Sequence, residues 1–311
     1  MLLVNSGGES ALQEWRMCVA QFLPNLRVEY LNDPNIDREA VEYVLVYNPP
    51  PGRLSQFPNL RLVLSAGAGV DHITRDPTWP RHLQIVRMGG SDTAQRMNEY
   101  VALAALSLLR GMRRVAIAQA ECRWDHFETS HSAPNVRLGV MGLGNLGSGA
   151  AVTLSRLGFR VSGWSQTPKR IEGIDCYSGV AERDLFLSRS DILVCLLPDT
   201  PETHGIIDRR AISLLPRGAG IINVARGSHL VTEDLVAALD NGHLSGAVLD
   251  VFEPEPLLPS SPLWQHPKIL ITPHIGALAS RLERARYVAD VIGKFESGLP
   301  LSNVYDPVRG Y

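Results

Sequence analysis

Residues 136–167, VRLGVMGLGNLGSGAAVTLSRLGFRVSGWSQT, restrict the folds open to this chain more than any other stretch. An apolar run from Val136 to Met141 stops at Gly142-Leu143-Gly144-Asn145-Leu146-Gly147. A helical segment follows, then a second short apolar run, Phe159 to Gly163. A G-x-G-x-x-G spacing between a strand and a helix points to a dinucleotide-binding βαβ unit. The first glycine permits the tight turn, the second admits a pyrophosphate close to the backbone, and the third lets the helix pack on the strand. The N–H groups that open the helix, around Asn145 and Leu146, then face the anion.

The end of the second strand refines the cofactor. An NAD site usually places Asp or Glu there for the ribose 2′-hydroxyl. This chain has Ser165-Gln166-Thr167-Pro168-Lys169-Arg170, with no acid before Glu172. Two hydroxyls and two cations suit a 2′-phosphate, so NADP(H) is expected over NAD(H). The plain alternative is a solvated turn, for which Ser, Thr and Pro are common.

Size and composition bound the rest. A chain of 311 residues exceeds the usual single domain, so two are expected. With 30 basic and 32 acidic residues, nothing favours nucleic acid or an anionic membrane as partner. Cys18, Cys122, Cys176 and Cys195 are scattered, which fits free thiols in a reducing compartment and gives no metal-ligand spacing. The start, MLLVNSGGES, lacks signal-peptide features, and no apolar run reaches membrane-spanning length. A cytoplasmic location follows as the expectation.

The first ~95 residues alternate short strands and helices, as in a parallel sheet covered on both faces. Strands are expected at 2–5, 26–31, 42–47, 60–65 and 84–86, with a helix over 10–22. Two strand-end turns are candidate ligand sites: Tyr47-Asn48-Pro49-Pro50, and Ser65-Ala66-Gly67-Ala68-Gly69, whose Ala68 and Gly69 amides suit a carboxylate. Tyr47 reads equally as a buried edge aromatic. Gln95 to Arg114 reads as one long helix joining two domains, with Tyr100, Leu103, Ala104, Leu108 and Met112 as a buried stripe widened by Leu106 and Leu109. The stretch around Trp124 reads as a loop. Further strands are expected at 191–197, 218–225, 246–252 and 269–272. Helices are expected over 232–241, capped by Thr232, and over 277–297. The domain assignment is 1–95 plus 281–311 for substrate and 96–280 for NAD(P).

The later strands end at Pro198, Arg226, Asp250 and Pro273, so a parallel sheet brings those ends to the edge of the glycine turn. Three residues there carry chemistry: Arg226, Glu255 and His274. Each alone has a dull explanation, as a surface ion-pair partner, loop surface or solvated ring. Together they suit reduction of a 2-oxo acid. The Arg226 fork takes the carboxylate and the carbonyl oxygen. His274 donates a proton to that oxygen, and Glu255 on the other ring nitrogen favours the charged ring.

The glycine turn, Leu197-Pro198-Asp199-Thr200-Pro201-Glu202-Thr203, Asn223-Val224-Ala225-Arg226-Gly227, Leu249-Asp250-Val251-Phe252-Glu253-Pro254-Glu255-Pro256-Leu257 and Pro273-His274-Ile275-Gly276 resemble the D-isomer-specific 2-hydroxyacid dehydrogenase family over nearly the whole chain. Ser261-Pro262-Leu263-Trp264-Gln265-His266-Pro267, Gly163-Trp164-Ser165 and the ending Arg309-Gly310-Tyr311 are similar to its branch that reduces glyoxylate and hydroxypyruvate. The resemblance implies an α/β chain of two Rossmann-like or flavodoxin-like domains, the cofactor domain inserted in the substrate domain. It implies Arg226, Glu255 and His274 as catalytic groups, with Tyr47, Ala68 and Gly69 beside the substrate. It puts Asp250 near the nicotinamide amide, and Pro198, Val224, Ala225 and Gly276 on the cofactor side. It also implies a homodimer through the cofactor domains, with the Trp124 loop reaching across. Two positions depart from the branch, which often has Trp-His at Tyr47-Asn48 and Arg at Gln166. The competing readings are a nucleotide-sensing, corepressor-like binding protein, a phosphoglycerate dehydrogenase-like enzyme, and a formate dehydrogenase-like enzyme, where Gln stands in place of Glu255.

Overall fold

The computed structural model describes residues 1–310 in two compact units, Met1–Thr93 with the chain from Ala279 onward, and Ala94–Leu278. Tyr311, the last residue of the Arg309-Gly310-Tyr311 ending, lies outside the described residues.

The first unit is built on β1 (Leu2–Val4), β2 (Val28–Tyr30), β3 (Tyr43–Val46), β4 (Leu62–Ser65) and β5 (Gln84–Val86). They pair in parallel in the order β2-β1-β3-β4-β5. Strands β3 and β4 are buried along their whole length, so they read as unbroken apolar runs rather than alternating ones. Successive side chains still go to opposite faces. Leu2, Val4, Leu45 and Leu64 join α1 (Leu12–Ala20) and the C-terminal helix α9 (Arg281–Glu296) through Trp15, Val19, Val288 and Ile292. Leu3, Val44, Val46 and Val63 face Leu54, Phe57, Trp79 and Ile73 of the short helix α2 (Asp71–Thr74). Helix α9 begins at Arg281 rather than Ala277, because the Ser280 hydroxyl caps it by accepting the Glu283 N–H.

The second unit carries β6 (Arg137–Met141), β7 (Arg160–Ser165), β8 (Asp175–Ser178), β9 (Ile192–Cys195), β10 (Ala219–Asn223), β11 (Leu244–Leu249) and β12 (Ile269–Ile271). They are parallel, in the order β12-β11-β10-β9-β6-β7-β8. This is the doubly wound arrangement, whose strand order reverses between β6 and β9. Helix α5 (Asn145–Arg156) follows the glycine turn, and its Ala150, Ala151 and Leu154 are buried with Val140, Val161 and Val194. Helices α6 (Gly179–Ser188), α7 (Arg209–Leu214) and α8 (Thr232–Asp240) bury Phe186, Ile212 and Leu235 with Leu193, Ile221 and Leu249. Each such side chain contributes about 1.5–3 kcal/mol of apolar burial.

Four readings of the sequence are corrected. The segment 95–114 is two helices, α3 (Ser91–Leu109) and α4 (Met112–Ala120), split at Gly111 in the left-handed region with φ 62°. The buried stripe of α3 is Met97, Val101, Ala104 and Ala105, whereas Leu103, Leu106 and Met112 are exposed. Thr232 does not cap α8; Val231 holds the cap position, without a side-chain bond. Strand β8 and helices α6 and α7 were not foreseen.

Candidate active site

The parallel sheet of the second unit sends every strand end to one edge. At the strand-order reversal lies the glycine turn. Gly142 has φ 107°, and a Cβ on it would stand 2.6 Å from the Leu196 carbonyl oxygen. A Cβ on Gly147 would be 1.7 Å from the Gly142 oxygen, so α5 packs on the turn only through glycine. Gly144 differs, because a Cβ there would meet nothing within 4 Å. That open space, at the N-terminus of a twelve-residue helix, is what a pyrophosphate requires. The residues present therefore fit a dinucleotide. At the end of β7 the Ser165 hydroxyl donates to the Thr167 carbonyl (2.7 Å), and Gln166, Thr167, Lys169 and Arg170 are exposed. The Pro198, Val224 and Ala225 turns occupy the neighbouring ends of β9 and β10.

The His274 and Glu255 side chains meet. His274 Nδ1 lies 2.7 Å from Glu255 Oε2, and Glu255 Oε1 accepts the Phe252 N–H at 2.9 Å. Burial alone would push the Glu255 carboxyl up. The His274 and Phe252 bonds and the His274 and Arg226 charges outweigh it and hold the carboxyl below its usual range. Arg226 belongs to the same neighbourhood. The next residue, Gly227, passes so close to the Glu255 loop that a Cβ would fall 2.1 Å from the Phe252 carbonyl carbon. The Arg226 Nη1 donates to the Ala225 carbonyl at 2.6 Å. Buried Asn223 folds this turn, donating to the Arg226 carbonyl (2.8 Å) and accepting the Ala225 N–H (3.2 Å).

Asp250 is 1% exposed, and its carboxylate organises the turn that carries His274. Oδ1 accepts from the Thr272 hydroxyl (2.6 Å) and the Ile275 N–H (2.9 Å), and Oδ2 from the Gly276 N–H (2.8 Å). The Asp250 carbonyl takes the His274 N–H at 2.8 Å. His274 itself has φ 55°, a costly backbone for a non-glycine residue, and these bonds hold it there. The Thr272 hydroxyl also meets the Tyr100 hydroxyl, whose acidity burial weakens by raising its pKa to about 12. A Cβ on Gly276 would stand 2.9 Å from Asp250 Oδ2. Asp250 thus supports the turn that carries His274.

In the first unit, the β4 turn is folded by buried Ser65, whose hydroxyl bonds the Gly67 N–H (3.1 Å) and the Gly69 carbonyl (2.7 Å). Among the described residues nothing accepts the Ala68 or Gly69 N–H. Tyr47 is 42% exposed, which removes the buried-edge reading, and its ring lies 4.6 Å from that of His72. His72 was not singled out in the sequence. It joins two turns, taking the Asn48 N–H on Nδ1 (3.1 Å) and meeting Ser65 Oγ with Nε2 (3.0 Å). His229, buried at the end of the Gly227–His229 turn, was likewise not singled out in the sequence. Each joins a nearby group, Ser65 or Arg226, to one more than twenty residues away, Asn48 or Pro198, and that distant partner leaves no motif to read.

The family profile for the D-isomer specific 2-hydroxyacid dehydrogenase, NAD binding domain, matches residues 102–276. Glyoxylate/hydroxypyruvate reductase A of Serratia proteamaculans is 36% identical over 304 residues, 96% of each chain. A D-isomer specific 2-hydroxyacid dehydrogenase from Xanthobacter autotrophicus, solved with NADPH and MES, is 39% identical with TM-score 0.92 over 100% of this chain and 99% of that one. An NADPH-dependent glyoxylate/hydroxypyruvate reductase from Sinorhizobium meliloti, solved with NADP and sulfate, is 36% identical with TM-score 0.91, again over 100% and 99%.

Proposed function

The chain belongs to the D-isomer-specific 2-hydroxyacid dehydrogenase family, and on that footing we propose that it is an NADPH-dependent reductase of a small 2-oxo acid. Glyoxylate, giving glycolate, and hydroxypyruvate, giving D-glycerate, are the substrates the resemblance favours. The observation that carries this reading is the Glu255–His274 pair beside the Arg226 turn, on the sheet edge that also holds the open glycine turn.

Bound NADPH supplies the hydride. The Asn145, Leu146 and Gly147 end of α5 takes the pyrophosphate, and Gly144 leaves it room. Gln166, Thr167, Lys169 and Arg170 face the 2′-phosphate, with Ser165 closing their turn; Pro198, Val224, Ala225 and Gly276 line the cofactor side. The Arg226 fork orients the substrate carboxylate and stabilises charge developing on the carbonyl oxygen. In the first unit, the Ala68 and Gly69 amides suit a substrate carboxylate, and Tyr47 stands beside their turn as a further substrate-side residue. With Nδ1 engaged by Glu255, His274 gives its proton from Nε2, and the ionised Glu255 balances the ring's positive charge. Asp250 acts by holding the His274 turn.

The reading includes a cytoplasmic homodimer assembled through the second unit. Leu103, Leu106, Met112 and Val115 present apolar surface on α3 and α4, and Trp124 is 95% exposed, as fits a loop that reaches a partner. The four cysteines are unpaired, which fits a reducing compartment.

The test is oxidation of NADPH and NADH with a panel of glyoxylate, hydroxypyruvate, pyruvate and 2-oxobutyrate. NADPH should exceed NADH in kcat/KM by about tenfold or more, the scale of one well-made charged contact. Cofactor binding without turnover of any of these acids would leave the binding-protein reading instead.

A further inference from the structure

His229 is fully buried at the end of the short turn Gly227–His229 and has no place in the chemistry above. Its ring lies between two strand-end turns. Nδ1 is 3.3 Å from the Arg226 N–H nitrogen, and Nε2 is 3.0 Å from the Pro198 carbonyl oxygen. A carbonyl can only accept and a backbone N–H can only donate, so the proton sits on Nε2 and Nδ1 is bare. Cys195 Sγ is 3.7 Å from Nδ1, and burial pushes that thiol up to about 12, so it remains a donor to the same nitrogen. One imidazole in one tautomer thus ties the β9 turn, beside the glycine turn, to the backbone of Arg226.

We propose that His229 is a positioning residue: through Nδ1 it fixes the Arg226 backbone for substrate, and through Nε2 it fixes the Pro198 turn for the cofactor. The inference rests on the roles given to Arg226 and the nucleotide turn above. The tautomer persists across the working pH range. Burial, with the Arg226 and His204 charges, lowers the pKa to about 4 against the Pro198 bond and the Asp199 charge. The turn does not depend on the ring to fold. Gly205 N–H donates to the Ser228 carbonyl (2.7 Å), Ile207 N–H to the His229 carbonyl (2.9 Å), and Ser228 Oγ to Asp199 (2.7 Å).

Two conservative variants separate the limbs. In His229→Asn the amide oxygen stands near the Nδ1 position and keeps the acceptor for Arg226. In His229→Gln the amide nitrogen reaches the Nε2 position and keeps the donor for Pro198. His229→Leu keeps neither. The measurements are the NADPH dissociation constant by fluorescence titration, and KM and kcat for hydroxypyruvate at saturating NADPH. The Asn variant should weaken NADPH about tenfold and leave substrate KM within about threefold, and the Gln variant should do the reverse, as expected when one buried partner is left unmade. The Leu variant should show both losses. Equal losses in both constants for the Asn and Gln variants, or a Leu variant with native constants, would overturn the proposal. If the native protein binds NADPH but reduces no 2-oxo acid, the proposed function fails, and the NADPH half of the pattern still decides the role of His229.

Discussion

At the scale of single residues, Asp250 shows how much of this site is support. One buried carboxylate accepts three hydrogen bonds and keeps His274 in a left-handed backbone. In Asp250→Asn, one of those bonds becomes a clash of donors. The expected outcome is a loss of about 1–3 kcal/mol in urea unfolding, the cost of an unsatisfied buried group. With it should come a fall in kcat larger than the fall in NADPH affinity, because His274 is displaced while the glycine turn is not. Native kcat in this variant would show that the His274 turn holds its shape without the carboxylate. The resemblance put Asp250 near the nicotinamide amide; its support of the His274 turn was not legible, because it depends on the N–H groups of residues 275 and 276.

At the scale of the element, the βαβ unit at 136–167 was the most legible part of the chain. Its constraints are local, since glycine spacing, strand and helix fall within about thirty residues. Less local features were lost. The apolar period runs on through Gly111, so two helices read as one, and only the left-handed glycine marks the break. Strand β8 is polar and half-buried, so it carries no apolar run to read. The glycine turn gives a paired prediction. Gly144→Ala adds a Cβ in open space at an ordinary φ of −76°, so thermal stability should be unchanged or slightly higher, while NADPH affinity falls by about tenfold or more. Gly147→Ala drives a Cβ into the Gly142 carbonyl, so it should lower Tm and expression. Equal NADPH affinity in Gly144→Ala and native protein, by the same titration, would place the pyrophosphate elsewhere.

At the scale of the whole molecule, folding and function share groups, and pH exposes the overlap. His229 has a folded-state pKa near 4, well below its ordinary value, with Asp199, Arg226, His204 and Cys195 around it. Between those values the unfolded chain binds a proton that the native ring refuses, so stability falls as pH drops from about 6.5 to about 4, by roughly 3 kcal/mol in total. Glu255 adds to the loss in the same direction, because its lowered pKa contributes stability that disappears as the carboxylate protonates. Urea midpoints measured from pH 7 to pH 4.5 should decline in native protein and decline less steeply in His229→Asn. Parallel slopes would mean that other groups carry the acid sensitivity. The pairing of Glu255 with His274 was legible in the sequence, whereas the His229 coupling was not, since it depends on burial created by distant strands. The parallel alternation itself was visible, and it places Arg226, Glu255 and His274 at neighbouring strand ends.

The most direct test of the account is single-turnover and steady-state NADPH oxidation with glyoxylate and hydroxypyruvate, comparing native protein with His274→Ala. The variant should bind NADPH as the native protein does and lose turnover by about 10²–10⁴-fold at saturating substrate, the range expected for removal of a general acid. A variant that reduces either acid at the native rate would contradict the assignment of His274 and, with it, the reductase mechanism built on the Glu255 pair.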